Sequence, residues 1–162
     1  MGKRTAYIEL NTTNQIGTLH KKSSHKQFSY FGITIFPCVS VTSLSEILRL
    51  NYDCFVLDIG VLNARTIKNF FDCERRFIVC SLSKWKSQKT LEKIENLFQQ
   101  NQNYKANVTV LDNLSTEKSN SLSTSNLSFP VISFPFIPDP FQLKPDVFHV
   151  FHQILERKKI YQ

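Results

Sequence analysis

Glycine is scarce in this chain: 4 of 162 residues, against 14 phenylalanines. That leaves few places where backbone can approach a phosphate closely, and it points to a core built from large rings. The four cysteines, Cys38, Cys54, Cys73 and Cys80, lie far apart with no CxxC pair. Thiolate zinc sites of that pattern are excluded, and because two of the four fall within apolar strands, buried free thiols in a reducing compartment are expected. No run of about 18 apolar residues occurs, and the opening MGKRTAYIEL carries no secretory h-region, so a cytoplasmic protein is expected. Met1-Gly2 begins like a myristoylation signal, but Ala6 stands where Ser or Thr is wanted. His149 and His152 lie three apart on a predicted helix, and no second pair at ligand spacing supports them as metal ligands.

What is present fits one globular domain over residues 1–162, with 41% hydrophobic and 20% charged residues. Lys and Arg number 20 and Asp and Glu 13, a formal net charge of +7. A charge of this size attracts nucleic acid or anionic lipid, yet it is common among plain soluble proteins and assigns no partner by itself.

Residues 4–10, RTAYIEL, read as a short strand. Residues 11–27 are polar and basic and read as a loop with a turn of helix around Ile16 and Leu19. FSYFGITIFP, residues 28–37, alternates around Gly32 as a strand or hairpin arm. Ser43-Leu-Ser-Glu46 has the form of a capping box, with Leu44, Ile47 and Leu48 as the buried stripe. NYDCFVLDIG, residues 51–60, leads from a polar turn into a buried-looking strand that ends in Asp58. A strand-end aspartate followed by glycine suits either a Mg²⁺ site or the cap of the next turn. Asn63 caps a predicted helix through Phe71, and 76–82 is the next strand. Leu91, Ile94, Leu97 and Phe98 recur at helical spacing after Ser87, and 107–111 is a further strand. Residues 115–128 are rich in serine and read as a mobile loop, and FPVISFPF, 129–136, is bounded by prolines and suits a sheet edge. A last helix after Pro145 puts Val147, Phe148, Phe151, Ile154 and Leu155 on one side. The alternation predicts the α/β class, a mostly parallel sheet flanked by helices.

The segments AYIELN, YDCFVLDIG, RRFIVCSLSKWKSQKTL, NVTVLDN and FPFIPDPF, in that order, resemble the ParA/MinD family of deviant P-loop ATPases. The resemblance implies a P-loop NTPase-like three-layer sandwich, ATP and Mg²⁺ as cofactors of the intact family, and nucleotide or metal positions at Glu9, Asn11, Asp58 and Asn113. Tyr52 to Asp58 match the family's Walker B strand, which would make Asp58 a residue of the magnesium shell. Glu9 and Asn11 hold the places of the family's D-x-D-like pair, and Asn113 that of its adenine-contacting asparagine.

The departure from the family is as informative. No G-x-x-x-x-G-K-[ST] occurs anywhere, and that loop is what cradles the phosphates and orders the Mg²⁺. Only Met1-Gly2-Lys3 precede the first strand, so the fold is expected to lack the family's first strand and helix. No cofactor is expected in this chain alone, and Asp58 would meet a metal only if a phosphate loop were supplied. Two origins are open: the C-terminal part of an ATP-binding protein whose phosphate loop is encoded upstream, or a free-standing remnant. Removal of the phosphate-loop strand is expected to leave the first strand or the Asp58 strand short of a ladder partner, unless the two close on each other, and so to favour a protein partner or self-association.

The function expected first is a non-hydrolytic interaction or regulatory module. The second is a non-specific nucleic-acid-binding accessory protein, using Lys3, Arg4, Lys21, Lys22, Lys26, Arg75, Arg76, Lys84, Lys86 and Lys89 around Trp85 as a phosphate-tracking surface. A membrane role through the amphipathic last helix is the third, set against packing of that helix onto the sheet through Phe148 and Phe151.

Overall fold

A computed structural model describes residues 2–11, 13–19, 26–83, 87–99, 102–113, 129–139 and 141–156. The fold is α/β, with one mixed sheet and one parallel sheet flanked by helices. The chain packs as two compact units, Met1–Asp72 and Cys73–Gln162. The serine-rich segment 115–128 and Lys21, Lys22, Lys84 and Lys86 lie outside the described residues.

In the first unit the sheet order is β2 (Phe28–Tyr30), β3 (Ile33–Phe36), β1 (Thr5–Glu9) and β4 (Cys54–Asp58). β1 pairs in parallel with β3 and with β4, and β2 joins β3 as an antiparallel edge. Because side chains alternate along a strand, Ala6 and Ile8 turn to one face and Tyr7 and Glu9 to the other. Ala6, Ile8, Leu10, Phe36 and Leu44 form the core on the first face, with Phe55 and Leu57 of β4 packed against it. Tyr52 closes this cluster with edge-on contacts to Phe36 and Phe55, and the Arg4 guanidinium lies 5.2 Å from its ring centre.

The hairpin β2–β3 turns through Phe31 and Gly32, both with positive φ, 47° and 78°. Two positive φ angles are the signature of a type I′ turn, the connection whose twist matches that of the flanking strands. Gly32 takes this conformation freely, whereas a residue with a Cβ pays about 1–2 kcal/mol for it. Phe31 therefore sits where asparagine or glycine would be easier.

Helix α1 (Val41–Ile47) starts earlier than the capping box implied. Ser40 is the N-cap, with extended backbone and a side-chain oxygen 3.2 Å from the Ser43 N–H. Glu46 falls in the last turn. The physical reason is that Ser40 stands three residues before Ser43 and satisfies the N–H that Ser43 would otherwise leave open. The first-turn hydroxyls of Thr42 and Ser43 also reach the Ser40 hydroxyl, both at 2.8 Å. Asn63 accepts from the Arg65 N–H at 2.9 Å and heads the turn that leads into α2 (Ile67–Asp72), where Phe70 and Phe71 are buried against each other.

One expectation about this unit is corrected: the buried-looking strand β4 is a sheet edge, and Cys54 and Val56 are exposed, Val56 at 45%. Of the two outcomes left open for the first strand and the Asp58 strand, the structure takes the one in which they close on each other, β1 pairing with β4 on one side and with β3 on the other. Among the described strands the two edges of this sheet are β2 and β4.

In the second unit β5 (Arg76–Cys80), β6 (Val108–Asn113) and β7 (Val131–Phe134) form a parallel sheet in that order. Strand β7 lies at an edge, where the missing N–H groups of the flanking Pro130 and Pro135 cost little. Helix α3 (Ser87–Gln99) buries Ile94 and Phe98, and Phe98 packs against Phe129 with ring centres 5.1 Å apart. The last helix, α4 (Phe148–Glu156), follows a turn of 3₁₀ helix at Pro145–Val147. Its buried residue is Val150, and Phe151 meets Phe134 edge-on, while Phe148 and Leu155 are exposed. Of the apolar stripe read for this helix, Val147, Phe151 and Ile154 are half-buried beside Val150, and Phe148 and Leu155 are not. The cysteines also depart from expectation, for Cys38 and Cys54 are exposed and Cys73 and Cys80 half-buried. Edge strands expose one of their two alternating rows, and Cys54 lies on such a row beside Val56.

Candidate functional site

The carboxyl ends of β1 and β4 bring three of the four family-implied positions together. Glu9 and Asp58 are register partners, so their side chains leave the sheet on the same face. Asn11 follows two residues beyond Glu9. Asn113, exposed at the end of β6, lies in the second unit.

Glu9 is 1% exposed, and both of its carboxylate oxygens are engaged. Oε1 accepts from the backbone N–H groups of Gln15 at 3.0 Å and Ile16 at 3.3 Å, and Oε2 accepts from Cys38 N–H at 3.2 Å. Its own carbonyl accepts from Val39 N–H at 2.7 Å. Glu9 therefore ties the 3₁₀ turn Ile16–Leu19 and the segment after β3 to the end of β1. A charged acceptor meeting several N–H donors is among the stronger hydrogen-bonded arrangements in a protein interior.

Asp58 is held in another way. The Tyr7 hydroxyl donates to Oδ2 at 2.6 Å, and Gly60 N–H donates to Oδ1 at 3.0 Å. Tyr7 is opposite Val56, one pleat repeat before Asp58, which puts its ring on the face from which the carboxylate projects. Burial first, then the hydrogen bond to Asp58, pushes the Tyr7 hydroxyl well above its ordinary pKa of 10.0. Asp58 thus serves as the cap of the following turn, one of the two roles that its place in the sequence allowed. Gly60 has φ 65°, and a Cβ there would come within 2.9 Å of the Asn11 Cβ, so the turn after β4 and the residue after β1 require glycine at this position. Asn11 in turn accepts from the N–H and hydroxyl of Thr13, an Asx-type turn.

Among the described residues no group of three His, Cys, Asp or Glu side chains is placed to hold a metal ion. Glu9, Asp58 and Asn11 each carry structural hydrogen bonds, and the chemistry they offer is two carboxylates at adjacent strand ends, one enclosed by backbone N–H groups and one at the rim. Sequence reasoning passed over Tyr7, the partner that fixes Asp58. It also passed over Asp112, a buried carboxylate that accepts from Leu82 N–H at 2.8 Å and does for β6 what Glu9 does for β1. The signal for Asp112 was present: VTVLD has the same form as CFVLD.

Of the basic residues read as a nucleic-acid surface, two are occupied within the second unit. Arg76 is buried, donates to the Tyr104 carbonyl at 3.1 Å and lies 5.1 Å from that ring's centre. Arg75 donates to the carbonyls of Ile154 and Leu155 at the end of α4. Lys26 and Lys89 are exposed, one in each unit.

Cys80 stands opposite Asp112 in the β5–β6 ladder. Burial and then the Asp112 charge push its thiol from the ordinary 9.0 up to about 11. The folded state therefore holds this proton where the unfolded chain releases it, so the associated stability is full below pH 9.0 and is lost as the pH rises toward about 11. The urea midpoint should fall across that window, and Cys80→Ser should flatten the fall. A midpoint in Cys80→Ser that drops as steeply as in the parent chain would assign the loss elsewhere.

The fold and this site define an α/β protein whose strand-end carboxylates are built into its backbone hydrogen-bond network. No protein-family model matches the chain, and no curated protein matches it. No helix among the described residues is long and apolar enough to cross a membrane.

Proposed function

We propose that this chain is a non-hydrolytic, ParA/MinD-like member of the P-loop ATPase class, a three-layer sandwich without the first strand and helix, that acts as an interaction or regulatory module. The observation that carries the reading is the Glu9–Asp58 pair. A strand ending in a Walker B-like aspartate lies directly beside the strand that holds the D-x-D-like position, in parallel and in register, and this juxtaposition of the two acids supports the reading. In this chain the paired acids meet N–H groups and a tyrosine hydroxyl, and the sequence holds no phosphate loop to bring them a nucleotide-bound metal.

The interaction role is supported by β4. Its outer edge leaves backbone donors and acceptors without a ladder among the described strands, and Val56 is exposed beside it. Such an edge is a template for another strand.

With ATP and Mg²⁺ the purified chain should show no turnover beyond that of Asp58→Ala. Light scattering should detect association that Val56→Lys, a charge on the edge, reduces. Turnover abolished by Asp58→Ala overturns the non-hydrolytic reading; a monomer unaffected by Val56→Lys overturns the role of the β4 edge.

A further inference from the structure

We draw no further inference here: the strongest candidate, the exposed apolar row of Phe77 and Val79 on the edge strand β5 of the second unit, is an uncovered sheet face, and nothing in the structure shows what covers it.

Discussion

Glu9→Ala is expected to lower the unfolding free energy by about 3 kcal/mol, because it strands three backbone N–H groups that now meet one carboxylate. Each unsatisfied buried donor costs about 1–3 kcal/mol, and the two donors of the loop, Gln15 and Ile16, regain part of that from water, which keeps the sum near the stated value. Against a total stability of about 5–15 kcal/mol for a domain, the change is large enough to read in a simple urea titration. Glu9→Gln gives a graded control. Its remaining carbonyl still accepts from Gln15 and Ile16, while its amide faces the Cys38 N–H donor to donor, so the loss should be about half. The reading of Glu9 as the anchor of this strand end fails if Glu9→Ala shifts the stability by less than about 1 kcal/mol. A functional metal-binding acid behaves in the opposite sense, since removal of such a charge usually leaves the metal-free fold unharmed or steadier.

That contrast marks what the sequence made legible and what it did not. The strands at 5–9 and 54–58 could be read from short apolar runs bounded by polar turns, and a mostly parallel sheet followed from the alternation of strands with helices. The edge position of β4 could not, because CFVLD reads equally well with one face or two faces covered, and only the neighbour on its far side decides. The partners of Glu9 were hidden for a different reason. Two of its donors come from backbone six and seven residues later, and the third from Cys38, and backbone N–H groups leave no mark in a sequence. Tyr7 was recoverable in principle: a register that sets Glu9 against Asp58 also sets Tyr7 one pleat before it. The helix caps show how near-equivalent signals compete. Ser40 and Ser43 each stand three residues before a first-turn N–H that a hydroxyl can serve, and the earlier serine wins because the residues after it, Val41 to Ser43, already take the helical turn. In α4 the periodicity was legible and the width of its apolar face was not: Val147, Phe151 and Ile154 turn inward with Val150, Phe151 meeting Phe134, while Phe148 and Leu155 at the margins of the stripe stay outside.

The other large effect is expected in the second unit. Phe98 is 0% exposed, the largest fully buried side chain among the described residues, and it closes α3 against Phe129, the residue that leads into β7. Lys105 lies 5.5 Å from the Phe129 ring centre and pairs with Glu95 of α3 at 3.1 Å, so the same ring meets both Phe98 and Lys105. Phe98→Ala removes the apolar burial and leaves a cavity beside Phe129 in a close-packed interior that small shifts do not fill. The cost should be about 3–5 kcal/mol. Phe98→Leu keeps most of the volume and should cost less than about 1.5 kcal/mol. The ion pair between Lys105 and Glu95 is partly exposed, so Lys105→Ala should change stability by no more than about 1 kcal/mol, and that difference locates the stability of this unit in its rings and not in its surface charges. Hydrogen exchange read at the amides of β6 reports the effect locally: in Phe98→Ala their protection should collapse by a factor of at least about a hundred, the equivalent of about 3 kcal/mol. Protection in β6 that survives Phe98→Ala but falls in Lys105→Ala would reverse this ranking of the two contacts.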